Sequence, residues 1–200
     1  MMVKIPTYFL IDTSLSMLGD PMRAVNRALK YIAVSMRSDQ YLLQSACISI
    51  ITFDDQARVD VSLTNLSSAV IPHFMSRGRK CMIGEAFSLV VHRVGCEVPG
   101  RSAQFRPPAL IVISNGMVSD RNDVLYGIEV LETVNWRGVL TVGATEDWNE
   151  TTLKALGNHR VNLGSGSEPM RGFQWLWQGA ADEKEIPEDR EEIVRRTPVQ

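Results

Sequence analysis

Four short, mainly apolar runs recur along the chain, at Tyr8–Ile11, Cys47–Phe53, Ala109–Ile113 and Val139–Ala144. Continuous apolarity is typical of strands that helices cover on both faces of a parallel sheet. Ala57–Leu63 instead alternates apolar and polar residues, which predicts an edge strand hairpinned to Cys47–Phe53. One further short strand is predicted over Arg160–Leu163.

Between these strands, apolar residues recur at steps of three and four, as on the buried face of a helix. The first helix is predicted to begin after Gly19, with Asp20 as N-cap and Pro21 at the first helical position. Other helices are predicted from about Gly84 to Val94, from near Asp120, over Asn149–Leu156 and over Glu168–Gln178. Strands alternating with helices predict a three-layer α/β/α sandwich, with a mostly parallel sheet and one antiparallel edge strand.

The composition fits one globular domain, which we place over residues 1–180 of the 200. The last twenty residues hold seven acids and four bases with few large apolar groups, which predicts a charged tail outside the core over 181–200. The formal charge of −2 gives no reason to expect a nucleic-acid partner. No apolar run approaches the length of a membrane span, and no signal peptide is recognisable. Three cysteines without C-x-x-C spacing favour reduced thiols and a cytoplasmic location.

The first strand ends in a cluster of oxygen donors, Asp12, Ser14 and Ser16. Ligands of open α/β sheets bind at the carboxyl ends of the strands, where this cluster lies. One carboxylate and two hydroxyls suit a hard cation such as Mg²⁺ better than zinc. The sequence therefore indicates a candidate metal or partner site in this loop.

The pattern Asp12-x-Ser14-x-Ser16, preceded by a strand and followed by a helix, resembles the metal-ion-dependent adhesion site of the von Willebrand factor A (vWA) family. That resemblance implies two further ligand positions. Cys81 stands where the family has Thr, before the helix beginning near Gly84. Asn115, in the run Ser-Asn-Gly, stands where the family has Asp.

Both replacements weaken the expected site for Mg²⁺. A thiol is a soft ligand, and Asn lacks the charge that strengthens binding of hard cations. Asp12 would be the only formal charge among the five positions, so we expect a metal site that is weak or absent. Two alternatives stay open: Mg²⁺ or Ca²⁺ binds when a partner supplies a carboxylate, or the side chains only hydrogen-bond one another and position the loops.

Within the vWA family the chain is similar to TerY-type proteins of bacterial tellurium-resistance and stress operons. The similarity lies in the first motif, the Gly19-Asp20-Pro21 helix start, the Gly-Glu-Ala run at Gly84, and the aromatic residues Phe173, Trp175 and Trp177. It implies a non-enzymatic cytoplasmic scaffold that binds a protein, with a kinase-like protein or a phosphatase of the same operon as a partner. The partner surface would comprise the loops after the first strand, around Gly78–Gly84 and around Asn115–Ser119.

Two catalytic interpretations compete with the binding module. Asp12 could be the nucleophile of a metal-dependent hydrolase or phosphatase, but Ser14 occupies the position where such chemistry needs a second acid. Cys81 could be a nucleophile before a helix, yet no histidine is placed near it by sequence spacing. The basic cluster Arg77–Lys80 would steer an acidic partner towards the same edge of the sheet.

Overall fold

The computed structural model describes residues 2–98, 103–119, 121–145 and 159–163. Their strands and helices alternate along most of the chain. The strands are β1 Ile5–Asp12, β2 Ala46–Phe53, β3 Ala57–Asn65, β4 Ala109–Ser114, β5 Gly138–Gly143 and β6 His159–Asn162. The helices are α1 Asp20–Ser38, α2 Gln40–Ser45, α3 Ile83–Glu97 and α4 Arg121–Leu131, with a 3₁₀ turn at Leu15–Met17.

The six strands form one sheet in the order β3-β2-β1-β4-β5-β6. Leu10 of β1 pairs with Ile51 of β2 on one side and with Val112 of β4 on the other, both in parallel register. Only β3, at the edge, is antiparallel to its neighbour. This confirms the predicted α/β fold with a mostly parallel sheet and one antiparallel edge strand.

Alternate residues of the central strand enter two separate cores. Phe9 and Ile11 of β1 pack on the α1 side of the sheet, with Val25 and Leu29 of α1. Tyr8 and Leu10 point the other way, into a core that includes residues of α3 and α4. Because both faces are covered, all eight residues of β1 are buried, as its unbroken apolar run predicted.

Helices α3 and α4 pack closely because each has a glycine at the contact. A Cβ added to Gly84 would lie 2.0 Å from the carbonyl oxygen of Asp123, and one added to Gly127 would lie 2.7 Å from the Cα of Gly84. The Asp123 carboxylate also accepts a hydrogen bond of 2.8 Å from the Gly84 N–H. This contact fixes the start of α3, and with it the loop that carries Cys81.

Two local predictions were wrong. Gly19, with φ of +86°, is the N-cap of α1, and Asp20 is its first residue with no capping hydrogen bond from its side chain. The short helix α2 was not predicted; it forms because the Asp39 carboxylate accepts a hydrogen bond from the Leu42 N–H. The helices predicted over 149–156 and 168–178, and the tail 181–200, lie outside the described residues.

Among the helices that the structure describes, none combines the length and the apolarity needed to cross a bilayer.

Candidate functional site

The candidate site lies where the strand order of the sheet changes direction. Connections run from β1 outwards to β2 and β3 on one side and to β4, β5 and β6 on the other. Asp12 is the last residue of β1, and Ser114 is the last residue of β4. The loops that follow these strands therefore diverge and leave an opening between them, which is the usual ligand position in such sheets.

The Asp12 carboxylate is fully buried, and its two oxygens accept three hydrogen bonds. Oδ1 accepts from the Ser14 N–H at 2.9 Å. Oδ2 accepts from the Ser114 hydroxyl at 2.6 Å and from the Cys81 thiol at 3.4 Å. Residues from three different loops thus donate hydrogen bonds to a single carboxylate.

Burial controls the protonation of the Asp12 carboxyl and the Cys81 thiol. It raises the pKa of Asp12, and the hydrogen bonds from Ser114 and Ser14, which lower it, do not fully offset the desolvation. Burial also raises the pKa of the Cys81 thiol well above its ordinary value, and the nearby Asp12 charge raises it further. Cys81 therefore stays a protonated thiol, a hydrogen-bond donor to Asp12 and a poor nucleophile.

The second part of the site is a chain of hydrogen bonds from Ser14 to Asn115. The Ser14 and Ser16 hydroxyls are 2.9 Å apart, and the Ser16 hydroxyl donates to Asn115 Oδ1 at 3.3 Å. Asn115 Nδ2 donates back to the Ser16 carbonyl at 3.1 Å, and its Oδ1 also accepts from the Met117 N–H. Asn115 therefore joins the loops after β1 and β4 directly, a contact in which its amide donor is essential.

The Cys81 backbone is tied to the loop after β4. Its N–H donates to the Ser119 hydroxyl at 2.8 Å, and its carbonyl accepts from the Ser119 N–H at 3.1 Å. Cys81 is buried, so its side chain has left solvent for the space beside Asp12. The structure brings Cys81 and the other four motif residues into one hydrogen-bonded group.

A second buried carboxylate, Asp54 at the end of β2, was missed at the sequence level. It accepts from the Thr13 hydroxyl at 3.0 Å and forms an ion pair with Arg58 at 2.8 Å. Although burial alone would raise its pKa, these partners hold the pKa of Asp54 below its ordinary value. A Cβ on Gly78 would lie 2.4 Å from the Asp54 Cβ, so only glycine allows the 76–80 loop to cross here. The sequence signal for Asp54 is its position directly after an apolar strand.

These residues do not fit a hard divalent cation. Both oxygens of Asp12 already accept hydrogen bonds, one of them from a protonated thiol. Asn115 Oδ1 accepts two hydrogen bonds, and the Ser14 and Ser16 hydroxyls bond each other. The chemistry that the group offers is internal hydrogen bonding.

Ser114 is a further site residue that we did not assign from the sequence, although it belongs to the quoted Ser-Asn-Gly run. Its hydroxyl donates to Asp12 and accepts from the Gly116 N–H at 2.9 Å. The hydrolase interpretation gains nothing from this geometry, because a buried carboxylate surrounded by hydroxyl and thiol donors has no accessible oxygen for attack.

Exposed apolar side chains surround the opening. Leu15 and Leu18 follow Ser14, Met117 follows Asn115, and Met75 precedes Ser76, whose hydroxyl donates to the Ser14 carbonyl. All four, called here the apolar rim, are more than half exposed. Large exposed apolar groups on neighbouring loops are typical of protein-binding surfaces.

The comparisons with known proteins agree on the fold. Residues 7–166 match the family model of the von Willebrand factor type A domain, whereas no curated protein matches. Many solved structures are similar at low sequence identity, and three of them illustrate the likeness. An aerotolerance-related membrane protein from Bacteroides fragilis, with multiple mutations to serines, has a TM-score of 0.61 and 15% identity over 87% of this chain and 99% of its own.

The second structure, BatB from Bacteroides thetaiotaomicron, a conserved hypothetical protein, has a TM-score of 0.64 and 16% identity over 88% of this chain and 98% of its own. The third, a D319A mutant of the PilB minor pilin from Streptococcus sanguinis, has a TM-score of 0.67 and 9% identity over 88% of this chain and 61% of its own. At such identities the likeness concerns the fold, and the family match carries the assignment. The chain belongs to the von Willebrand factor type A domain family.

Proposed function

We propose that this vWA domain is a non-enzymatic protein-binding module that binds its partner through the loops after β1 and β4 without a metal ion. Domains of this family are generally non-catalytic and bind proteins. The proposal adds that this chain replaces the metal by hydrogen bonds among its own side chains.

One observation carries the proposal. The Asp12 carboxylate, which in the resemblance would hold the metal, is fully buried and accepts hydrogen bonds from Ser14, Ser114 and Cys81. A buried carboxylate needs such partners, and here the protein supplies them all. A cation would have to displace the Cys81 thiol and turn the Asn115 amide, so binding it would cost existing hydrogen bonds.

The apolar rim gives the partner a surface to contact. Leu15, Leu18, Met75 and Met117 together offer unbranched or γ-branched side chains that adapt to a partner's shape. In a site that uses a metal, the partner's carboxylate would supply much of the binding energy. With no metal, we propose that burial of this rim supplies it.

The pathway remains a proposal from the sequence resemblance. From the TerY-type sequence features we propose a role in a bacterial tellurium-resistance or stress-response system, with a kinase-like protein or a phosphatase as the first partners to test. Cys47, Cys81 and Cys96 are all free thiols, which supports a reducing, cytoplasmic compartment.

Affinity capture from the native host tests this function. The full chain would be used with EDTA and with Mg²⁺, beside a Leu18→Ser/Met117→Ser variant and a Leu125→Ser control. Leu125 is as exposed as the rim residues but lies on α4. We expect one specific partner that is retained in EDTA, retained by Leu125→Ser and lost from the rim variant.

Two results would refute the proposal. Loss of the partner in EDTA would mean that a metal is needed, and equal capture by the rim variant would place the partner elsewhere. Circular dichroism of each variant separates a lost surface from a lost fold, since exposed apolar-to-serine changes should leave the unfolding temperature nearly unchanged.

A further inference from the structure

A groove with a distinct chemistry lies beside α1, away from the adhesion-site loops. Residues 66–80 cross the molecule alongside this helix, from Leu66, bonded to the Ala46 carbonyl at the start of β2, to Arg77, bonded to the Thr13 carbonyl beyond β1. Asn26 holds this segment to α1 through hydrogen bonds of 2.8 and 2.9 Å to the Phe74 N–H and carbonyl. The two segments enclose a groove of about 540 Å³.

The groove has apolar walls that are not covered in the described part of the chain. Leu29, Ala33, Val34 and residues 69–72 line it. Val34 is 56% exposed and Val70 is 80% exposed, and Tyr31 on the same face of α1 is 59% exposed. Burial of these exposed apolar side chains would be favourable in free energy. The groove can therefore hold an apolar side chain of a ligand.

Cationic side chains predominate along the two segments that form the groove. Neither residues 21–38 nor residues 66–80 contain an aspartate or glutamate. Together they carry seven cationic residues, Arg23, Arg27, Lys30, Arg37, Arg77, Arg79 and Lys80. This concentration occurs in a chain whose net charge is −2, so acids must be concentrated elsewhere.

Few of these cations are neutralised within the described residues. Arg23 pairs with Asp20, and the Asp55 carboxylate lies beside Arg79 and Lys80, where it accepts hydrogen bonds from their backbone N–H groups. Arg37 donates to the carbonyl of Ala69, which satisfies its N–H groups but leaves its charge unpaired. Arg27 and Lys30, exposed one turn apart, have no carboxylate partner among the residues described.

The complementary charge is present in the same chain. The segment Asp182–Glu192 has seven carboxylates and two bases around one large apolar residue, Ile186. The described part of the chain ends at Leu163, which packs against the same core as α1. Residues 164–181 can span up to about 60 Å when extended. A domain of this size has a radius of gyration of about 16 Å, so the groove is within reach.

We propose that the acidic segment Asp182–Glu192 binds in the basic groove between α1 and residues 66–80 of the same molecule. Its carboxylates would face Arg27, Lys30 and Arg37, and Ile186 would contact the apolar wall at Val34 and Val70. Attachment to the same chain gives the segment a high effective concentration, typically millimolar, so even a weak contact forms. Exposed ion pairs of this kind weaken as salt increases. The proposal does not depend on the function proposed for the adhesion-site loops.

Zero-length carbodiimide cross-linking of the full chain, followed by peptide mass spectrometry, tests the contact. This reagent joins a lysine to a carboxylate only where the two touch. Lys30 lies in the groove, whereas Lys4, bonded to Gln44 and Asn65, lies beside the start of β1 and is the internal control. Mixing ¹⁵N-labelled and unlabelled protein distinguishes contacts within one molecule from contacts between copies.

We expect Lys30 to cross-link to peptides from 182–192 within one molecule, at least threefold more than Lys4. High salt and Arg27→Glu should each reduce this yield severalfold, while Arg106→Glu, an equal charge change at an exposed distant site, should not. Equal yields at Lys30 and Lys4, or equal effects of the two arginine variants, would overturn the proposal. Cross-links that join a ¹⁵N-labelled peptide to an unlabelled one would also overturn the proposal, because they would identify the occupant as the segment of a second copy. Absence of any cross-link at Lys30 would likewise overturn the proposal.

Discussion

Replacement of Gly84 by alanine is the sharpest test of how the helices position the site. The added methyl carbon would lie 2.0 Å from the Asp123 carbonyl oxygen and 2.5 Å from its carbonyl carbon. These distances are about 1.0–1.5 Å shorter than an ordinary non-bonded contact of ~3.5 Å. Because the two nearest atoms belong to the backbone, no side-chain rotation relieves the overlap, and α3 and α4 must move apart.

Overpacking of this kind destabilises a folded protein by about 1–3 kcal/mol, and a clash with backbone belongs at the upper end. For a domain of this size, about 3 kcal/mol corresponds to a fall in unfolding temperature of roughly 6–12 °C. Gly95 is the matched control, since it lies on the same helix and a Cβ there would meet nothing within 4 Å. Gly95→Ala should raise the unfolding temperature by roughly 1–3 °C, through helix propensity alone.

Differential scanning calorimetry of both variants and the wild type gives the comparison directly. A lower unfolding temperature for Gly84→Ala together with a higher one for Gly95→Ala would support the close packing of α3 on α4. A Gly84→Ala protein as stable as the wild type would refute it, and would leave the position of the Cys81 loop without its structural explanation.

Three further predictions address the site and the groove. Cys81→Thr with Asn115→Asp should strengthen Mg²⁺ binding in calorimetric titrations, since the pair restores a hard oxygen and a charge; no gain would mean that the loops are arranged differently. Burial raises the pKa of Asp12, so its ionised form destabilises the fold above that pKa, and this penalty disappears as pH falls through it. As pH falls through the pKa of Asp12, the unfolding temperature of the wild type should therefore rise relative to that of Asp12→Asn, which has no titrating group there; a relative fall would contradict the sign. Asn26→Ala should lower the free energy of unfolding by about 2 kcal/mol in urea titrations, because two hydrogen bonds to Phe74 are lost, whereas Ser38→Ala at an exposed site should change it little.

The sheet could be predicted because its signal is local. Each buried strand contains a short, mainly apolar run, and β3 alternates because one face of an edge strand meets solvent. The first motif was visible for the same reason, since Asp12, Ser14 and Ser16 are adjacent in sequence. Cys81 and Asn115 could be placed only through resemblance to a family, because their meeting with Asp12 depends on contacts about 70 and 100 residues apart in sequence.

What the sequence missed depends on tertiary contacts. Ser114 seemed one more polar residue after a strand until its hydroxyl was found 2.6 Å from Asp12. The N-cap of α1 was wrongly assigned to Asp20, since Asp is a favourable cap and the glycine before it carries no side-chain signal. The segment 66–80 shows no periodicity, and its path along α1 is set by distant partners such as Asn26. Local secondary-structure propensity therefore does not predict the groove that this segment forms with α1.

The most direct test of a metal-free adhesion site is a calorimetric titration of the wild-type protein with Mg²⁺, and then with Ca²⁺ and Mn²⁺, beside Asp12→Ala. We expect no saturable heat up to millimolar concentrations, because Ser14, Ser114 and Cys81 already hold the carboxylate of Asp12. A micromolar site in the wild type that disappears in Asp12→Ala would contradict the account, since it would mean that the cation displaces these hydrogen bonds at little cost.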